Sequence, residues 1–384
     1  MGAQTHRQLV SQFPSQVEVK REETMKGQVY PKAPLTLHHE QCYYPTLNKD
    51  LDKFEGWPQH LVMATVDGYH IMFFVSAYLL DGKSPGGFLA DNAATLSTIF
   101  VMIPVKEQGV MHDNDFIVNG FCPNDFLKFE DLKIVSGKDK VMMKIKDVEF
   151  VSAPPYFFAK GKDTGIEFDI KVTAVGETSW YKGEDWDDIM KDADKLAKKG
   201  NNFDQYTSVE GTIKAMGKTF VFKDGRGTHA HPVNQLNLEA RMRSDSCVYI
   251  GYDKRLQFVG QSWAGIVNRG FIHLLDDGRH FVYDNGVNPK ADANLIVTGT
   301  WYDPRSMFTV PYKWHANMRS PEGILDVDIA GTGRATRIFA LKRAYCLDLW
   351  VMGMANGLFL LPNGDTLAIK DVLCALEFTK TCWP

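Results

Sequence analysis

Two histidines set two residues apart carry the clearest chemical signal in the chain. They lie in the stretch DGRGTHAHPVN at 224–234. On an extended backbone His229 and His231 point to one face. Gly225 and Gly227 permit a tight turn or a close backbone approach. Pro232 then ends free ladder pairing. Paired imidazoles can hold a metal, act as an acid–base couple, or hydrogen-bond within a junction. All three readings stand. Glu210 and Glu239 are the nearest glutamates and neither is an evident third ligand, so no metal is assigned. His229 and His231 are candidate catalytic residues.

Carboxylates form a second group. Glu167 and Asp169 share one face of an alternating segment at 166–175, IEFDIKVTAV. Facing outward, they are solvated charges. Lining an apolar lumen, a carboxylic acid acquires a raised pKa and donates protons near neutrality. Asp169 is the candidate proton donor and Glu167 a candidate substrate contact. Aromatics form a third group. Gln261-Ser262-Trp263 and Thr300-Trp301-Tyr302 set polar groups beside indoles, and Trp314 lies nearby in sequence. Gln261, Trp263, Trp301, Tyr302 and Trp314 are candidate contacts for an apolar ligand, since such sites have greasy walls and few polar groups. Indole and phenol faces also stabilise positive charge. Each ring fits a packed core equally well.

Strands must position these residues. Asp67-Gly68, Asp277-Gly278 and Asn363-Gly364 separate strand-like runs and suit tight hairpin turns. Short loops of this kind join antiparallel strands. In 141–150, VMMKIKDVEF, the apolar phase flips at Asp147, which predicts a bulge or a strand break there. One segment has a helical period: Trp186, Ile189, Met190, Ala193, Leu196 and Ala197 share a face, with Asp residues in the first turn and Lys residues in the last. The pattern predicts a helix over 185–199. No strand–helix alternation appears, which argues against a Rossmann-like sheet or a TIM barrel. The expected architecture is mostly β, with two antiparallel lipocalin-like barrel or sandwich units: an arm over 1–34, a first unit over 35–230 with the helical insertion, and a second over 231–384.

Composition narrows the function. The chain has 384 residues, 44% hydrophobic and 23% charged, with a formal charge of −4. It lacks the basic footprint of a nucleic-acid binder. No apolar run reaches the ~20 residues that span a bilayer. The opening MGAQTHRQLVSQ has no apolar core of a secretory signal, and the six cysteines lie far apart with no CxxC. A cytoplasmic protein with reduced thiols is expected. GxGxxG at a strand–helix turn, GxxxxGK[ST], HExxH and GxSxG are absent. A serine hydrolase or nucleotide enzyme of a standard kind is therefore not expected. Nothing in the pattern fixes an oligomeric state.

The two successive β-units, the GxGxHxH stretch at 225–231 and a closing strand at 374–378 resemble the carotenoid 1,2-hydratase (hydroxyneurosporene synthase) group. Its wider relatives include tocopherol cyclase-like proteins and fungal Diels–Alderases. The resemblance spans 55–384 at the level of pattern. It implies cofactor-free hydration, dehydration, isomerisation or cyclisation of a bulky apolar molecule such as a terpenoid, polyene or polyketide. Only His229 and His231 transfer residue by residue. Relatives often carry Glu before the second histidine, where this chain has Ala230. A non-catalytic carrier of an apolar ligand is the alternative, and a β-sandwich interaction or carbohydrate-binding protein is a third.

Overall fold

The computed structural model describes residues 34–42, 44, 54–80, 92–107, 116–119, 126–180, 203–235, 246–263, 267–284, 290–304, 307–340 and 345–382. Among these, every strand pairing is antiparallel, and the strands form one sheet of 14 and another of 9. The first sheet runs from Phe54–Gly56 to Val233–Gln235 and the second from Ser246–Tyr252 to Thr366–Cys382. The changeover therefore lies between Gln235 and Ser246, past the break expected at 230. The predicted helix over 185–199 lies outside the described residues, as does the expected arm apart from Pro34. No described helix is long and apolar enough to cross a membrane.

Each sheet curls around its own core. Phe73, Phe100, Phe150, Phe157 and Phe168 meet inside the first. Tyr249, Phe258, Trp314, Leu349 and Phe359 meet inside the second. A third apolar layer lies between the units, where Met72, Phe74, Ile99 and Val101 of the first face Tyr252, Phe271, Trp350 and Met352 of the second. This seam explains why the strand Tyr69–Leu80 is apolar on both faces apart from His70 and Ser76. Its Ile71, Phe73 and Val75 enter the first core, whereas Met72 and Phe74 enter the seam. Both faces are buried, so alternation vanishes.

Local chemistry sets the register. Asp67 and Gly68 adopt φ of 50° and 78° and join two strands directly, as Asp-Gly in a tight hairpin should. The phase flip at Asp147 is a strand break: Val141–Ile145 and Val148–Ala153 form a hairpin across Lys146-Asp147. The alternation at 166–175 holds, with Ile166, Phe168, Ile170 and Val172 buried. Asp224-Gly225 does not turn the chain. It lies inside the strand Lys218–Ala230, opposite a register shift between Val209 and Gly211.

Candidate functional site

The two histidines of the GxGxHxH stretch point into the first unit. His229 is 1% exposed and His231 is fully buried. They are joined there by Glu40, a residue the sequence pattern did not single out. Glu40 sits on the short helix Leu37–Cys42, which packs against the strands Val141–Ile145 and Val148–Ala153. Six residues make no stable helix alone. The helix is held by its surroundings and by its cap. The Thr36 N–H donates to His39 Nδ1 at 3.0 Å, and the His39 N–H donates back to Thr36 Oγ1 at 3.4 Å. This reciprocal pair is a capping box with His in the usual Glu position. One residue earlier, the Leu35 N–H donates to Thr178 Oγ1 at 3.2 Å.

Glu40 uses both oxygens. His229 Nε2 lies 2.8 Å from Oε1, and His231 Nδ1 lies 3.4 Å from Oε2. The other nitrogen of His229 is 3.2 Å from the Gln59 carbonyl oxygen. The His229 ring thus sits between two acceptors, the Gln59 carbonyl and the Glu40 carboxylate. Burial alone would raise the Glu40 pKa. The His229 and His231 imidazoles outweigh it and hold the carboxyl well below the usual range. Burial lowers His231 and His60 and keeps both neutral, and the neighbouring His229 adds to the effect on His60. His60 stacks on His229 at 4.8 Å, Phe157 lies 4.1 Å from that ring, and Tyr44 stands edge-on to His231 at 4.9 Å. The group is a buried carboxylate between two imidazoles inside an aromatic shell. No set of three His, Cys, Asp or Glu among the described residues is arranged to hold a metal.

A second polar group lies in the seam, on the nine-stranded sheet of the second unit. Gln257 and His273 are cross-strand partners on the second unit, and their face carries Val259 and Phe271. Gln257 is fully buried, and neither atom of its amide has a hydrogen-bond partner among the described residues; nor does Nδ1 of His273, which is 1% exposed. Unsatisfied polar atoms in an apolar layer cost on the order of 1–3 kcal/mol each unless something binds them. The Tyr206 ring stacks on His273 at 5.8 Å, and its hydroxyl donates to the Phe271 carbonyl oxygen at 3.4 Å. Burial raises Tyr206 and Tyr252 well above the ordinary phenol value, so both stay protonated. Burial lowers His273, against Glu177 and Asp277, and keeps it neutral.

The remaining sequence candidates are scattered. Asp169 and Glu167 face outward: Lys160 Nζ lies 2.7 Å from Asp169, and Lys214 and Lys162 lie 2.9 and 3.6 Å from Glu167. Neither lines an apolar lumen, and the lysines lower the carboxyl pKa of Glu167. Glu167 borders an open, charged cleft of about 690 Å³ at the hairpin ends of the first unit. Trp314 is buried in the second core. Trp301 is half-buried beneath the Arg334 guanidinium, 3.4 Å from the ring centre, and Tyr302 is 56% exposed on the opposite face. Gln261 is half-buried on the strand Leu256–Trp263, on the seam face it shares with Gln257 and Val259. Trp263 ends that strand, opposite Ser246 and Val267.

No protein-family model matches the chain, and no curated protein matches its sequence. Solved structures do match. An AttH protein of Nitrosomonas europaea is 11% identical with a TM-score of 0.54, over 91% of this chain and 98% of that one. CghA in complex with Sch210972 is 8% identical with a TM-score of 0.52, over 85% and 88%. The chain has the fold of the AttH and CghA structures. Kievitone hydratase of Nectria haematococca aligns over 94% of this chain and 96% of its own at 10% identity, with a TM-score of 0.45. The mostly β architecture of two curled antiparallel sheets expected from the sequence is the one the chain shares with the AttH and CghA structures.

Proposed function

We propose that this chain is a cofactor-independent lyase, isomerase or cyclase acting on a bulky apolar small molecule held in the seam between its two units. The observation that carries the proposal is the fully buried Gln257 amide, with a donor and an acceptor both open beside the His273 imidazole. Around them the wall is apolar, and Met63, Met72 and Met352 make it adaptable. Such a site fits a hydrocarbon skeleton bearing one or two oxygens, as terpenoids and polyketides do. CghA, which has this fold, is a structure with a small molecule bound.

A reaction follows that needs no outside reactant. Neutral His273 takes a proton from carbon beside a substrate carbonyl, and the electron pair moves onto the oxygen. A phenol or the Gln257 amide hydrogen-bonds that oxygen. Return of the proton at another carbon completes an isomerisation, and ring closure from the same bound shape gives a cyclisation. Holding a flexible chain in a reactive conformation contributes several kcal/mol by itself.

A second reading places the proton donor at His229, with Glu40 and His231 as its partners. The placement of the His229 ring between the buried Glu40 carboxylate and the Gln59 carbonyl favours it. One experiment separates the two. The purified chain is screened by native mass spectrometry for bound molecules, and turnover is measured for His273→Gln and His229→Gln. Loss of turnover in the folded His273 variant alone supports the seam. Loss in the folded His229 variant alone moves the chemistry into the first unit. A bound molecule that leaves unchanged in every case makes the chain a carrier.

A further inference from the structure

The seam histidine is covered by a backbone feature of the opposite unit. In the strand Ile166–Trp180, Ala174 pairs with Thr207 and Thr178 with Gln205. Val175, Gly176 and Glu177 therefore bulge opposite Tyr206 alone. Gly176 has φ of 70°, a left-handed conformation. A Cβ built on it would lie 1.9 Å from His273 Nε2, so its backbone rests directly on the imidazole.

The bulge is tied from behind by one buried side chain. Gln205 Nε2 donates to the carbonyl oxygens of Val175 at 3.2 Å, Gly176 at 3.4 Å and Tyr206 at 3.1 Å. Its Oε1 accepts from Thr178 Oγ1 at 2.7 Å. Thr178 in turn accepts from the Leu35 N–H. The amide thus fixes three loose carbonyls and the ring neighbour of His273 together.

We propose that Gly176 and Gln205 are positioning residues for His273: the bare Gly176 backbone forms one wall of the imidazole site, and Gln205 holds that wall in place. The proposal deepens the seam reading above and rests on it for its functional meaning. The other groups facing this imidazole are Gln257 and His280 on its own sheet, Tyr206 and Glu177 across the seam, and Asp277, which is itself paired with Arg279. None of them touches Nε2 from the Gly176 side in the way a methyl would.

The test uses the full chain with labelled histidines, the His273 signal being assigned from His273→Gln. Gly176→Ala and Gly217→Ala are compared. Both glycines have left-handed φ, 70° and 73°, but a Cβ at Gly217 meets nothing within 4 Å. Backbone strain is therefore matched, and only contact with His273 differs. Gly176→Ala should move the His273 titration midpoint upward by about half a pH unit or more, because the ring is pushed toward water. Gly217→Ala should leave it unmoved. If Gly176→Ala does not fold, Gln205→Met, which removes the amide without adding volume, should shift the midpoint in the same direction. Equal shifts in the two alanine variants, or no shift in the folded Gly176 or Gln205 variant, overturn the proposal. Unchanged turnover in His273→Gln would instead remove the seam reading and leave the positioning contact standing.

Discussion

Glu40 Oε1 and His229 Nε2 lie 2.8 Å apart although 189 residues separate them in the chain. The contact fastens the helix Leu37–Cys42 inside the first unit. Both partners are buried, and each has been stripped of water to be there. Their mutual attraction offsets that loss only while both are present.

Removing one partner should therefore be costly. Glu40→Gln is expected to destabilise the chain by about 3–5 kcal/mol at pH 7, read from urea unfolding. The sign with pH is fixed by the depressed carboxyl. Its stabilisation is complete above the ordinary value of 4.5 and is lost as the pH falls below it, since protonation then favours the unfolded chain. The wild type should lose stability on acidification from pH 5 to pH 3 more steeply than Glu40→Gln. Parallel curves would mean that Glu40 is not ionised in the fold.

The glycines of the GxGxHxH stretch have a structural purpose. A Cβ at Gly227 would lie 1.8 Å from the Leu61 carbonyl oxygen, and one at Gly225 would lie 2.8 Å from that of Val209. Neighbouring strands approach too closely for any side chain. Gly227→Ala should displace the strand Gln59–Val66 and lower stability by at least the ~1–3 kcal/mol typical of overpacking. His60, which stacks on His229 from that strand, should lose its protection in a histidine-detected NMR titration.

What a sequence shows depends on how local the signal is. Asp67-Gly68 and the alternation at 166–175 are local, and the structure has the hairpin and the half-buried strand they predict. Met216-Gly217 turns a hairpin just as tightly, with φ of 51° and 73°, but Met is an uncommon residue there and gave no cue. The two histidines share a face as their spacing required. Their partner Glu40 came from a short segment, LHHEQC, whose role depends on contacts across 189 residues. Gln257 and His273 give no cue for the same reason: their strands, LQFVGQSW and VNRGFIHL, carry other polar residues as well, and only the packing of the two units against each other buries these two.

The seam has its own glycine. A Cβ at Gly333 would lie 2.4 Å from Ile103 Cδ1 of the other unit. Gly333→Ala should lower stability by about 1–3 kcal/mol, and Ile103→Ala in the same chain should recover part of that loss, because the second change makes room for the first. Strict additivity of the two losses in a double-mutant cycle would mean that the units do not press on each other here.

His273 predicts a second pH effect. Burial holds it neutral, with its folded pKa below the ordinary 6.5. A depressed pKa stabilises the fold above the unfolded value and ceases to do so as the pH falls, because the unfolded chain takes up the proton first. Wild type should therefore lose stability between pH 7 and pH 5, and His273→Gln should lose less over the same interval. Ligand binding in the seam should weaken over that interval in the wild type. A binding curve flat across it would remove neutral His273 from the site.

Asp169 gives the contrasting case. It shares its strand with Gly176 but faces water, where Lys160 approaches to 2.7 Å and both side chains are more than half exposed, at 59% and 70%. Solvent screens such a pair, and each member is hydrated without the other. Asp169→Asn should leave the melting temperature and any turnover unchanged, while His273→Gln abolishes turnover. The comparison is sharp because the two residues differ in burial and not in chemical competence: a carboxylate moves protons as readily as an imidazole when it is placed against a substrate. A loss of turnover in Asp169→Asn would put the substrate on the outer face of the first sheet, against the lysines, and would require a polar substrate in place of an apolar one.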